Sequence, residues 1–188
     1  MRVVVITPPK PFVTIDEAAL HVGMGDDLDR LQLERLVAAA CRHLEPTRCW
    51  LGRAFGEQEL ELRLSRYEMD GCASVRLPFP DTLSLVSIVY LSADGTEVTA
   101  SLDDVELIGN EIVPVDRWPW ENGSMRREAV RIRYRAGYDT VPDDIKTAVL
   151  GMVADMFHFP ESVIEGSVSA VRIPTSVENL LADHRVYC

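Results

Sequence analysis

Pairs of neighbouring aspartates are the residues of this chain whose type and spacing best suit chemistry. The stretch DDLD at positions 26–29 has the form of a cation ligand for phosphoryl transfer, since hard divalent cations prefer carboxylate oxygens. It stands directly before a helical apolar repeat, where aspartates cap the helix and complement its positive end. Capping is therefore the favoured interpretation, and it also holds for positions 143–144. The pair at 103–104 lies in a turn-like stretch and is expected to be solvated.

Histidines and cysteines show no spacing typical of a metal or redox site. The histidines are scattered along the chain, and none is three or four residues from another or from a cysteine. The cysteines form no CxxC pair, and Cys41 in an apolar helical run reads as a buried free thiol. No phosphate-binding glycine loop, nucleophile elbow or HExxH motif is present. We therefore predict no catalytic residues, no metal and no cofactor, and a reducing compartment. The residues concerned are His21, His43, His158, His184, Cys41, Cys49, Cys72 and Cys188.

The most regular charged pattern is an arginine stripe, Arg131, Arg133 and Arg135, at alternate positions of a strand. The first strand of the same block carries glutamates with the same spacing, at Glu57, Glu59 and Glu61. If the strands pair antiparallel, cross-strand ion pairs of about 0.2–1 kcal/mol each would neutralise the stripe. The functional alternative is that the stripe contacts an acidic surface of a neighbouring subunit. Both remain open, and nucleic acid ranks third because the surrounding charge is negative.

Two tryptophans, Trp118 and Trp120, stand in the loop sequence DRWPWENGS. Exposed tryptophans are typical anchors of protein interfaces. The alternative is a lid packed over the open end of the β block, and the sequence does not choose between the two.

Composition limits the possible partners. Apolar residues make up 47% of the 188 residues, enough for a sizeable core. The net charge of −11 argues against broad wrapping of nucleic acid and against docking on an anionic membrane. The N-terminal stretch lacks the features of a signal peptide, and no apolar run is long enough for a transmembrane helix. Lys10 and Lys146 are the lysines, and arginine supplies the remaining bases, which suits bidentate pairing with carboxylates between subunits.

Helical periods stand at both ends of the chain. A capping box formed by Thr14 and Glu17 opens a short helix that Gly23 can end. A longer helix over 26–45 follows, and Pro46 should stop or kink it. After Pro142, an apolar repeat predicts a helix over 142–158. A last short helix is expected to be capped by Ser176.

Between the helices the period changes to two. EQELELRL, VRLPFP, LSLVSIVYL and AVRIRYRAG read as strands. SADG and Gly109–Asn110 read as hairpin turns. We predict an α+β fold, in which N- and C-terminal helices form a discontinuous helical bundle around an inserted antiparallel β domain. The bundle takes residues 14–56 and 137–188, the β domain takes 57–136, and 1–13 form an N-terminal arm or edge strand.

The order of these stretches resembles a known family. TIDEAALHV and the helix LVAAACRHLEPTRCWLGRAF come first, followed by ELRLSRY and VRLPFPDTLSLVSIVYLSADGTEV. VRIRYRAGYDTVPDDIKTAVLGMVADMF and IPTSVENLLADHR close the series. The set resembles the head–tail connector (adaptor) proteins of tailed double-stranded DNA phages and phage-like gene transfer agents, in the longer form with a β insertion. The resemblance covers about residues 14–185, and the turn at Gly137–Tyr138 before the Pro142 helix is its most telling part.

This resemblance implies a structural virion protein and no enzyme. Such adaptors form a closed ring, typically of about twelve subunits, below the portal. The ring extends the DNA channel and docks a tail-side connector or stopper protein, and packaged duplex DNA passes through without sequence-specific binding. An acidic wall would let that DNA slide. Localisation would be the virion or phage-like particle, assembled in the host bacterial cytoplasm.

The family also implies roles for segments of this chain. The helices over 26–45 and 142–158 would form the ring core, and 160–188 would reach toward the portal. We take Arg172 and Arg185 in that arm as candidate interface residues. The chain departs from the family at Pro46, where the family helix usually continues, and at Cys188, which has no family role.

Two other classes remain as alternatives. One is a monomeric binding module that uses a β edge and the Trp118/Trp120 loop to recruit a peptide or partner. The other is a small hydrolase with a carboxylate pair in the β block, which would require a concave pocket holding two acids with perturbed pKa values.

Overall fold

The computed structural model describes residues 1–23, 30–46, 50–69, 72–158 and 175–186. The fold is α+β, as the sequence predicts. Within these ranges there are four α-helices: α1 (Ile15–His21), α2 (Arg30–His43), α3 (Asp143–His158) and α4 (Thr175–Ala182). The strands are β1 (Arg2–Thr7), β2 (Gln58–Leu64), β3 (Val75–Arg76), β4 (Thr82–Leu91), β5 (Glu97–Thr99), β6 (Val105–Ile108), β7 (Glu111–Pro114) and β8 (Val130–Ala136).

The chain divides into two compact units. The β unit contains Met1–Lys10 and Gly52–Asp139, and the helical unit contains Pro11–Leu51 and Thr140–Cys188. The β unit holds a five-stranded sheet in the order β1-β2-β8-β4-β5 and a three-stranded sheet in the order β3-β7-β6. All strand pairs in both sheets are antiparallel.

Strand β8 lies at the centre of the larger sheet because its alternate residues are strongly apolar. Val130, Ile132 and Tyr134 are buried in the core. The Tyr134 hydroxyl donates to the carbonyl oxygen of Pro78 at 2.7 Å. Burial raises the pKa of Tyr134, so the phenol stays neutral. The hydrogen bond satisfies the one polar atom of this buried side chain.

The turn after β8 requires glycine. Gly137 has a φ of 114°, a conformation that side chains rarely adopt. Its N–H donates to the carbonyl of Asp81 at 2.9 Å, and the next N–H, of Tyr138, donates to Phe55 at 3.0 Å. A Cβ at position 137 would lie 2.3 Å from the carbonyl oxygen of Gly56. Two chain segments therefore approach each other here more closely than a side chain permits.

The helical unit is built around α3. This helix packs against α2 and against α4, whereas α2 and α4 barely contact each other. Helix α1 is opened by the predicted capping box, with Thr14 Oγ1 accepting from the N–H of Glu17 at 3.2 Å and Glu17 Oε2 accepting from the N–H of Thr14 at 2.7 Å. Gly23, with a φ of 69°, follows its last turn. The apolar repeat of α3 is buried as predicted.

Several element boundaries differ from the predictions. Helix α2 ends at His43, two residues before the predicted end, and its predicted aspartate cap at positions 26–27 lies outside the described residues. Helix α4 begins at Thr175, so Ser176 lies inside its first turn rather than capping it. The stretch VRLPFP contributes only the two residues of β3, because prolines cannot donate to a strand ladder.

Candidate interaction surfaces

Alternation along β2 and β8 places charges on the face of the larger sheet opposite the core. The strands are direct neighbours, with Glu61 opposite Arg133, Glu59 opposite Arg135 and Arg63 opposite Arg131. Successive strand residues point to opposite faces, so every charged side chain of this group shares one face. We call this surface the ionic face.

Glu61 is the centre of the ionic face. It is 1% exposed, and its two carboxylate oxygens accept from the Nε of Arg63 and the Nε of Arg133, each at 2.7 Å. Burial acts to raise the pKa of Glu61, but the hydrogen bonds and charges of the two guanidinium groups outweigh it, so the pKa is lowered. The Glu61 carboxylate therefore remains ionised, and each of its oxygens accepts a hydrogen bond although the residue is buried.

The other two arginines of the stripe also have partners within the β unit. Arg135 donates from Nε to Glu57 Oε1 at 2.8 Å. Arg131 faces the like charge of Arg63 across the ladder, and it pairs instead with Glu97 on β5. The cross-strand ion pairing expected of the stripe is therefore present. A contact with a neighbouring subunit stays a prediction, for which these side chains would have to share or exchange their partners.

The tryptophan loop divides into one buried and one partly exposed ring. Trp120 is 1% exposed and belongs to the core, so the idea that it is an exposed interface anchor is corrected. Trp118 stacks on it, with ring centroids 4.8 Å apart and planes inclined by 22°. The Trp118 Nε1 donates to the carbonyl of Cys72 at 3.0 Å. The loop is thus a lid over the β core, and Trp118 is the ring that retains partial exposure.

A cleft of about 320 Å³ lies beside Trp118. It is lined by acidic residues, Pro119 and Val115, and its single lining arginine, Arg117, is ion-paired with Asp116. Asp103 and Asp104 are exposed at its edge, in a short 3₁₀ turn capped by Ser101. In the part of the chain that the structure describes, no group of histidine, cysteine and acidic side chains has a metal-binding arrangement.

Residues 184–186 contact other parts of the helical unit. His184 Nε2 lies 2.7 Å from Asp144 Oδ2, and the N–H of Val186 donates to the carbonyl of Leu51 at 2.9 Å. The Arg185 guanidinium lies 5.1 Å from the ring centroid of Trp50, a cation–π contact. The hydrogen bond from His184 lowers the pKa of Asp144. Arg185 is thus engaged within its own unit, and Arg172, the other arginine predicted to contact a partner here, lies outside the described residues.

Sequence reasoning missed two features of these surfaces. The sequence places Arg63 on the same strand face as Glu61, but Arg63 was not predicted to be a second partner of that carboxylate. The outward face of α2, which carries Arg35 and Arg42, was also missed. Its signal was available in the helical period, because both arginines lie opposite the apolar repeat of α2.

Comparison with known proteins gives a shared fold. No protein-family model and no curated protein sequence matches the chain. Among solved structures, it is similar to a chain of the virion of a native gene transfer agent (GTA) particle, with 18% identity and a TM-score of 0.72. It is also similar to chains in the neck of an empty GTA particle computed with C6 symmetry (15%, 0.63) and in the neck of a native GTA particle computed with C12 symmetry (16%, 0.65). Each comparison covers 100% of this chain and 97% of the other.

No helix in the described ranges is both long and apolar enough to cross a membrane.

Proposed function

We propose that this chain is a structural protein of a phage-like particle, and specifically a head–tail connector that forms a ring between the portal and the tail. The observation that carries the proposal is the fold similarity over 100% of this chain and 97% of a GTA virion chain. A match at this coverage includes the β unit and the helical unit together, so it reflects a whole architecture rather than one common motif.

The proposed partners follow from the ring. A second copy of the chain occupies each side, the portal protein lies above, and a tail-side connector or stopper protein lies below. Packaged duplex DNA passes through the channel. The neck structures with C6 and C12 symmetry support a cyclic arrangement, since rotational symmetry repeats one subunit contact around a closed ring. The helical core is part of the same proposal. The predicted division at 14–56, 57–136 and 137–188 is moved there to the bounds of the two units, with Gly52–Asp139 in the β unit.

The charges of the molecule also support this role. A net charge of −11 disfavours adhesion to the DNA backbone. The arginines of the ionic face are paired with glutamates of the same unit. Few free cations on this face are therefore available to a DNA phosphate.

Light scattering over a range of protein concentrations, with negative-stain images of any large species, tests the proposal. We expect closed rings with a central hole wide enough for duplex DNA. A chain that is monomeric alone is then mixed with purified portal rings, and stoichiometric capture at one end of the portal supports the role. A monomer that also fails to bind the portal overturns the proposal and favours a binding module that uses Trp118 and a β edge.

A further inference from the structure

The outward surface of α2 carries a basic stripe in an otherwise acidic protein. Arg35 and Arg42 are seven residues apart, two turns of helix, and both are exposed. The buried residues Leu33, Val37 and Ala40 lie on the opposite side of the helix. Arg35 and Arg42 form no ion pair with any described residue, in contrast to Arg30, which pairs with Asp16 at 3.0 Å. These two cations are therefore available to a partner.

The outward surface of α4 carries the opposite charge. Val177 and Leu181 are buried, whereas Glu178 and Asp183 are exposed. Neither acid is ion-paired with another residue in the described ranges, and α4 itself contains no basic residue. The bases that follow are engaged, His184 with Asp144 and Arg185 with Trp50.

These two surfaces belong to different helices of the helical unit. Helix α3 packs against both α2 and α4, which barely contact each other. A cyclic ring requires two different, complementary patches on each subunit, because each copy uses one patch for the preceding neighbour and the other for the next. An isologous contact made by either patch alone would place arginine against arginine or acid against acid.

We infer that the α2 stripe of one copy docks against the α4 surface of the next copy, with Arg35 and Arg42 facing Glu178 and Asp183. This inference rests on the proposed function and names the contact that would build the ring. Such exposed pairs mainly set the orientation and rate of association, and their effect weakens with salt. Self-association should therefore fall as ionic strength rises.

Charge reversal tests the contact. In R35E/R42E both surfaces become acidic, and in E178R/D183R both become basic. Each variant should therefore self-associate at least about tenfold more weakly than wild type. The quadruple variant, which exchanges the two charges, should recover wild-type association. An equal mixture of the two double variants should also associate, because unlike chains then alternate.

A matched control separates this contact from net charge. R117E/R127E changes the net charge as much as R35E/R42E does, but at exposed positions of the β unit, and we expect near wild-type association. Sedimentation velocity at low salt measures all variants, and thermal unfolding checks that each is folded.

Two results would overturn the inference. One is wild-type association that both reversals leave unchanged, which would leave the ring itself in place and the proposed function standing. The other is a wild-type protein that does not self-associate at high concentration and low salt. The proposed function would then depend on the portal-capture experiment alone.

Discussion

At the scale of single residues, Gly137 lies where the backbone leaves no room for a side chain. It combines a φ of 114° with a carbonyl oxygen 2.3 Å from any added Cβ. Gly137→Ala should lower the free energy of unfolding by more than the roughly 1–3 kcal/mol of a strained backbone alone, because the segment at Gly56 must also move. Urea unfolding measures the loss.

Gly109 provides the matched control for this substitution. It also has a positive φ, of 60°, but an added Cβ would meet nothing within 4 Å. Gly109→Ala should therefore cost only about 1 kcal/mol, the penalty of the left-handed conformation. Equal losses at the two positions would show that close approach at Gly137 contributes nothing.

Glu61 is the residue through which pH should act on the β unit. Glu61→Gln should destabilise the protein by about 1–3 kcal/mol at neutral pH, since a buried carboxylate with two charged donors is replaced by a neutral amide. The exposed pair of Glu97 with Arg131 offers a control, because Glu97 is 63% exposed. Glu97→Gln should cost no more than about 1 kcal/mol.

The pH dependence has a defined sign. The folded-state pKa of Glu61 is lowered from its ordinary value of 4.5. The stability that ionised Glu61 contributes is therefore fully present above pH 4.5. It is lost as the pH falls through the lowered folded-state pKa. Unfolding measured at a series of acidic pH values should show a shallower loss of stability in Glu61→Gln than in wild type. Parallel curves would contradict the assignment.

At the scale of elements, α4 depends on its packing. An eight-residue helix is too short to be stable alone in water, and Leu181 is 0% exposed. Leu181→Ala should cost about 2–5 kcal/mol of local stability. Amide hydrogen exchange should rise across residues 175–182, while the amides of β2 and β8 keep their protection.

A leucine on another helix controls for the substitution itself. Leu20 on α1 is 84% exposed, and Leu20→Ala should change stability by no more than about 0.5 kcal/mol. If Leu181→Ala leaves exchange in α4 unchanged, the helix is held by the contacts of His184, Arg185 and Val186 instead.

Local patterns in the sequence were sufficient to predict most elements. Strands β2 and β8, the hairpin at Gly109 and the α1 capping box follow from periods and turn chemistry that involve neighbouring residues only. The ion pairing of Glu61 with Arg133 could be foreseen as one alternative, because complementary charges share one spacing. It could not be selected, since a strand order that joins residues 72 positions apart is set by the whole β core.

Which tryptophan of the loop is buried could not be predicted from the sequence, for a related reason. Trp118 and Trp120 have the same local sequence signal, and only the path of the loop over the core decides that Trp120 is enclosed. The unpaired arginines on α2 were visible as a pattern, but their significance requires knowing that α2 and α4 both pack against α3 and make little contact with each other.

At the scale of the whole molecule, net charge determines whether the proposed ring binds DNA nonspecifically. Nonspecific DNA binding requires cations that displace counterions from phosphates. This chain has a net charge of −11, and the arginines of its ionic face are already paired with glutamates. Fluorescence anisotropy of a labelled duplex should therefore show no binding at physiological salt, even at protein concentrations where rings form.

A basic variant shows whether the assay would detect binding. D103K/D104K/D116K replaces three exposed acids beside the Trp118 cleft with lysines, and it should bind the same duplex with an affinity that falls as salt rises. Tight, salt-dependent binding by the wild type would contradict the prediction, because DNA that adheres to its channel could not slide. Such a result would move the function toward DNA attachment, and the cations of the α2 stripe, Arg35 and Arg42, would be the first residues to neutralise.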